Sequence, residues 1–159
     1  MQKFTSPNEE LAFLRTAKRQ DVMAYLKEHR LYEENDVILF EKCGGQEVMS
    51  YLKENSLSPQ AEMMLVARGN HNEIMIYIKK LSLSDLGEMA LIMRGNREEI
   101  NYYIKNQFVG DDFAKYLILR GHHEEIMTLI KSKNKHAFVK HKALLHARRN
   151  MEELRYLDI

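Results

Sequence analysis

SPQAEMMLVARGNHNEIMIYIKKLSL, residues 58 to 83, carries the plan of the chain in 26 residues. Ser58 can accept hydrogen bonds from the free backbone N–H groups of a helix start, and Pro59 brings a helix-ready φ to the first position. Met63, Met64, Leu65, Val66 and Ala67 make that helix apolar on most sides, which predicts a helix sandwiched between neighbours. Gly69 ends it, because glycine takes the left-handed conformation that closes a helix without strain. A second helix opens near Asn70 to Asn72, holds Glu73 in its first turn, buries Ile74, Tyr77 and Ile78, and finishes near Lys79 and Lys80. The unit is helix, tight turn, helix.

The unit recurs along the chain. Ala17, Cys43, Gly69, Gly95 and Gly121 mark the turn, and four residues after each stands Asp21, Glu47, Glu73, Glu99 or Glu125. Val22, Val48, Ile74, Ile100 and Ile126 come next, and a sixth copy runs two residues late with Arg149, Glu153 and Leu154 in the same roles. Ser6-Pro7 lies two periods before Ser58-Pro59, and Ser84-Asp85 and Gly110-Asp111 fill the same helix-opening position. Tyr25, Tyr51, Tyr77, Tyr103 and Leu129 form one column, Leu26, Leu52, Ile78, Ile104 and Ile130 the next, and Met23, Met49, Met75 and Met127 a third. These spacings put them on one helical face, so they are expected to pack.

A fixed period in this range predicts a solenoid, in which each unit buries its apolar face against its neighbours. The expected fold is a single all-α domain over residues 1–159, a two-helix repeat solenoid of about six 26-residue repeats with the first and last as caps. Asn8, Glu9, Glu10, Lys18 and Arg19 give the first copy a polar outer side. The chain stops on Leu157-Asp158-Ile159 with no polar outer helix, an open end suited to pairing with a second molecule.

Composition agrees. Of 159 residues, 45% are hydrophobic and 30% charged, with two prolines and seven glycines, the balance of a folded helical protein. The net charge of +1 supplies no global field toward nucleic acid or membrane. One cysteine excludes an intramolecular disulfide and fits a reducing, cytoplasmic setting. The N-terminus MQKFTSPNEE has no apolar core of a secretory signal, and no window is apolar enough for a membrane span, so no membrane partner is expected.

RGHHEEI at 120 to 126 and RGNREEI at 94 to 100 resemble the ankyrin stretch R-N-G-H-L-E-V that turns from the first helix into the second. EVMSYLKENSLSP, starting at Glu47, is similar to the E-V-x-K-Y-L-x-E-N-G run of divergent, shortened ankyrin repeats. The T-P-L-H opening is absent, and 26 residues leave no room for the β-hairpin finger of the usual unit. The resemblance implies a protein-recognition face and no catalysis.

The chemistry-bearing residues fall into the repeat grammar. His122-His123 and His136, His141, His146 lack the spacing of a shared metal face, so no metal is expected. Cys43 precedes a second helix, where a thiol can be activated, yet it fills the column of Gly69, Gly95 and Gly121. Gly44-Gly45 is no phosphate loop, and Gly110-Asp111-Asp112 sits where aspartates cap a helix. Neither a cofactor nor a catalytic residue is expected. Lys27, Lys53, Lys79, Lys105 and Lys131 stand near second-helix ends, where the helix dipole favours them.

One segment departs from the pattern. KSKNKHAFVKHKALLHARR, residues 131 to 149, contains no acid, includes aromatic Phe138, and reads as a longer inter-helix loop with a basic face. Lys131, Lys133, Lys135, Lys140, Lys142, Arg148 and Arg149 are its candidate nucleic-acid contacts. The leading expectation is a non-enzymatic scaffold for a protein partner, with Ile76 and Tyr102 as candidate contacts in a column otherwise filled by Ala24, Ser50 and Thr128. Binding of nucleic acid through residues 131 to 149 is the alternative.

Overall fold

The computed structural model describes residues 3–156, and among them it is all-helical, without a strand. First helices are α1 (Pro7–Thr16), α5 (Pro59–Arg68), α7 (Asp85–Arg94) and α9 (Asp111–Arg120). Second helices are α2 (Arg19–Glu28), α4 (Gly45–Glu54), α6 (His71–Lys80), α8 (Arg97–Asn106), α10 (His123–Lys131) and α13 (Met151–Leu154). The first helix of the second copy is a 3-10 helix, Glu33–Ile38, continued by α3 (Leu39–Lys42); that of the last copy is split into α11 (Lys135–Val139) and α12 (Lys142–Arg148). Helix starts at Pro7, Glu33, Pro59, Asp85 and Asp111 reproduce the 26-residue period.

The chain divides into two compact units, Met1–Lys80 and Leu81–Ile159, and the boundary falls between the third and fourth copies. In the first unit α1 and α5 pack against the 3-10 segment, while α4 packs on α2 and α6. In the second, α9 packs on α7, α11 and α12, and α10 packs on α8 and α13. First helices thus meet first helices and second helices meet second helices within each unit.

The starts are capped as the sequence predicts. Ser6, Ser58 and Ser84 accept from the backbone N–H groups of Glu9, Ala61 and Gly87. Gly69, Gly95 and Gly121 close α5, α7 and α9 at φ of 80°, 73° and 84°, the left-handed region. Arg149 takes the same conformation at φ 54°, so the late sixth copy keeps the turn without glycine. Ala17 and Cys43 do not: both are extended.

The tyrosine column is buried and hydrogen-bonded. Tyr25, Tyr77 and Tyr103 donate to Glu10, Glu62 and Glu88 at 2.8, 2.7 and 2.9 Å, each acid fifteen residues earlier. The same hydroxyl position accepts a backbone N–H from the segment before it, Leu31 onto Tyr51, Leu57 onto Tyr77 and Leu83 onto Tyr103. The carboxylates also reach forward: Glu10 accepts from Tyr32 N–H and Glu88 from Gly110 N–H. Burial, the largest cause in each case, pushes the Tyr25 and Tyr77 hydroxyls well up and that of Tyr51 up to about 12. Glu10 is therefore a core residue and not part of a polar cap surface.

The departures follow from composition. Asp36, one methylene shorter than glutamate, accepts from the Ser58 N–H and hydroxyl. The 3-10 helix that carries it begins after Tyr32, which makes no side-chain cap. Residues 131 to 149 form helices α11 and α12, not the longer loop the sequence predicts, because Ala137, Phe138 and Leu145 have a core to enter. The expected open end at Leu157-Asp158-Ile159 lies outside the described residues.

Candidate functional site

Most groups capable of chemistry serve the fold. Glu73, Glu99, Glu125 and Glu153 are fully buried in the first turns of second helices. Each faces an arginine from the end of the preceding first helix: Arg68 at 3.7 Å, Arg94 at 2.9 Å, Arg120 at 3.6 Å and Arg148 at 2.9 Å. Both Glu125 oxygens lack a hydrogen bond, so Arg120 balances that carboxylate by charge alone. Arg120 instead donates to the carbonyls of Ile92 and Gly95, and Arg148 to those of Ile118 and Gly121. These arginines tie one helix end to the next copy.

Cys43 is buried, and burial pushes its thiol up, the reverse of what a nucleophile needs. Among the described residues no three His, Cys, Asp or Glu side chains stand close enough to hold a metal ion. No helix among them is long and apolar enough to cross a membrane.

The basic segment is dispersed by its folding. Arg148 is drawn onto Glu153 and two carbonyls, and Phe138 is fully buried, which removes it as a stacking surface. Lys140 pairs with Asp111 at 2.6 Å and holds that carboxyl below its ordinary value through the hydrogen bond. Lys133 donates to the Asn106 carbonyl and covers the Phe108 ring, its ammonium 4.4 Å from the centroid. Lys131, Lys142 and Arg149 are exposed and Lys135 is half-buried. Ile76, in the first unit, and Tyr102, in the second, are both half-buried.

Two surface features of the second unit stand out. The first is apolar: Leu86 and Met93 on α7 and Tyr116 and Leu119 on α9 remain exposed, Met93 by 80% and Leu119 by 55%. Met93 and Leu119 occupy equivalent positions on helices that pack side by side. The sequence signal was present, a first helix apolar on most sides, but it reads as burial between neighbours when part of it faces outward.

The second is a groove of about 670 Å³ along α10, lined at one-face spacing by half-buried His123 and Thr128 and exposed Glu124 and Lys131, above buried Met127. Lys105 and Lys133 border one end, and Glu152 the other. There His123 meets Glu153 through Nδ1 at 2.9 Å and Glu152 through Nε2 at 3.1 Å. The hydrogen bond with Glu153 is the main cause that raises the His123 pKa. Burial pushes Glu153 up, but the hydrogen bonds from Arg148 and His123 outweigh it and hold its carboxyl down. The structure thus gathers Lys131 and Lys133 with Lys105 in one groove and turns Arg148 inward.

No protein-family model, curated protein or solved structure matches the chain.

Proposed function

We propose that this protein is a non-enzymatic helical-repeat scaffold, a two-helix solenoid of the divergent, shortened ankyrin kind that binds a protein partner in the cytoplasm. The observation that supports it is the exposed row of Leu86, Met93, Tyr116 and Leu119 on two adjacent helices. Large side chains gathered in one place at the surface have the composition of an interaction patch. The buried carboxylates, meanwhile, lie against tyrosines, arginines and backbone, which supports a structural role for them. Nucleic-acid binding has less support, since Phe138 and Arg148 face inward and Lys140 is neutralised by Asp111.

The test is a capture experiment from host extract, with and without nuclease, using the native protein and a Met93→Asp/Leu119→Asp variant. Both changes lie at the surface, where substitutions cost within about 0.5 kcal/mol, so helicity by circular dichroism should be unchanged. The expected result is a protein captured regardless of nuclease by the native chain and lost by the variant. Capture that nuclease abolishes would replace the scaffold reading with the nucleic-acid one.

A further inference from the structure

Glu125 is the one fully buried carboxylate among the described residues whose oxygens both lack a hydrogen bond. Its counterparts are served in three ways. Asn70 Nδ2 donates to Glu73 at 3.1 Å. Arg94 and Arg148 donate through Nε to Glu99 and Glu153, each at 2.9 Å. The cation that opens a second helix also reaches the acid of the next copy, Arg19 onto Glu47 at 2.8 Å and His123 onto Glu153 at 2.9 Å. None of these reaches Glu125. Arg120 commits both terminal nitrogens to carbonyls, and Arg97, which opens α8, stops at His122 Nδ1, 3.3 Å away, and at Glu124, 3.6 Å away.

His122 stands where Asn70, Asn96 and Asn150 cap α6, α8 and α13. Its backbone, at φ −74° and ψ 111°, matches that of Asn96 at −72° and 114° and of Asn150 at −83° and 110°. Its side chain nevertheless makes no cap bond. Arginine only donates, so Nδ1 accepts from Arg97 and the ring proton sits on Nε2. An asparagine cap has two atoms at this reach: the Asn70 oxygen accepts from the Asn72 and Glu73 N–H groups while its nitrogen donates to Glu73. Imidazole offers Nδ1 alone there, and a proton on that atom decides whether it accepts or donates.

We propose that His122 is a proton-operated latch between copies: neutral, it accepts from Arg97 and ties α10 to α8, and doubly protonated, it turns inward to donate Nδ1–H to Glu125. The protonated nitrogen has no lone pair for Arg97, and the two cations repel. Three residues on, Glu125 presents two unmatched acceptors, and the Asn70 bond to Glu73 shows that a side chain at this position spans that step. Because the backbone already has the capping conformation, only the side chain moves. The charged groups around the ring are Arg97 on α8, His123, Glu124 and Glu125 on α10, Arg120 at the end of α9, and Arg148 on α12, which bonds the Gly121 carbonyl. Arg148 is matched by Glu153 and Arg97 keeps Glu124, so Glu125 is the acceptor open to the new cation. Acid thus exchanges a hydrogen bond between copies for one within α10.

The experiment uses the isotope-labelled full chain and reads the His122 ring by NMR at about pH 8 and about pH 5, either side of the range in which histidines change charge. At the higher pH the ring should be singly protonated on Nε2 and show cross-relaxation to the Arg97 side chain. At the lower it should be doubly protonated and show cross-relaxation to the Glu125 side chain instead. A cycle of native, His122→Ala, Glu125→Gln and double variant, unfolded in urea at both pH values, then measures the pair; His123 is present in all four and cancels. The coupling should change the folding equilibrium about ten-fold at the lower pH, as for a hydrogen bond to a charged group, and less than about two-fold at the higher. If the Glu125 variant does not fold, the ring contacts of the native chain still decide. Contact with Arg97 that persists at the lower pH, a ring still singly protonated there, or equal coupling at both would each overturn the proposal.

Discussion

The buried Tyr103 hydroxyl in the second unit has two partners: it donates to Glu88 and accepts from the Leu83 N–H at 2.9 Å. Removing one member leaves the others buried and unmatched, and each such orphan costs about 1–3 kcal/mol. The chain itself shows the alternative. One period later, Ala114 and Leu129 replace both the acid and the tyrosine, and both are fully buried. The backbone N–H that would have lost its acceptor, that of Val109, is taken by Asn134, whose amide also donates to the Ile104 and Gln107 carbonyls. Tyr103→Phe and Glu88→Ala should therefore each destabilise by about 1–3 kcal/mol, while the double variant should cost less than their sum. Urea denaturation of the four proteins measures this, and strict additivity would show that the pair is not coupled.

At the scale of the element, the glycine turns answer two demands at once. A β-carbon on Gly121 would lie 2.7 Å from Arg148 Nη1, and one on Gly95 would lie 2.9 Å from Arg120 Nη2, so the arginine of the next copy reaches in over the turn. The backbone at both is left-handed as well. Gly121→Ala should then cost about 1 kcal/mol or more by thermal denaturation. Arg149 bears only the conformational demand, since no following copy among the described residues docks an arginine over it. Arg149→Gly should raise stability by up to about 1 kcal/mol, and a loss would mean the arginine makes contacts that outweigh its strained backbone.

The period, the glycine turns and the serine caps could be read from the chain because each is a local rule with a fixed offset. The acid column Glu10, Asp36, Glu62, Glu88 could not, since first-turn acids are ordinarily solvated and Glu9 and Glu10 look alike in sequence. What distinguishes them is the fifteen-residue step to a tyrosine, and the joint loss of both partners at Ala114 and Leu129. The groove was hidden for a related reason: its lysines come from α8, α10 and the turn beyond, so only packing brings them together.

The α10 and α13 junction carries its own pH dependence. With carboxylates against both ring nitrogens, His123 satisfies both only as the doubly protonated cation. A neutral ring donates once, and Nδ1 then accepts from the Asn150 amide at 3.2 Å. The charged groups around it are Glu152 and Glu153 on α13, Arg148 on α12, and its neighbour Glu124 on α10. Because the folded pKa is raised, the contribution to stability is complete below the ordinary value of about 6.5 and is lost as pH rises through the folded value. Hydrogen exchange of α13 amides should accelerate across that interval in the native chain. In a His123→Gln variant the same amides should show no pH step beyond the intrinsic exchange rate, and an unchanged step would assign it to another group.

For the molecule as a whole, the question is whether its cations act together. A net charge of +1 means that any attraction to nucleic acid must come from a local field, and folding has divided the basic segment that would supply it. Arg148 is inside and Lys140 is paired, so Lys131, Lys133, Lys135, Lys142 and Arg149 are the remaining cations of that segment, with Lys133 partly engaged by the Asn106 carbonyl. Each phosphate neutralised contributes a slope of about −0.9 to the dependence of log affinity on log salt for duplex DNA. With so few cations, duplex affinity should stay in the non-specific range of about 10⁻⁴ to 10⁻⁶ M at physiological salt. Its slope should be shallow and should flatten further in a Lys131→Ala/Lys135→Ala/Lys142→Ala variant. Fluorescence anisotropy with a labelled duplex across a salt series measures both quantities. Sub-micromolar binding with a steep slope that vanishes in the triple variant would mean that the cations converge on a phosphate backbone, and the scaffold reading would fall with it.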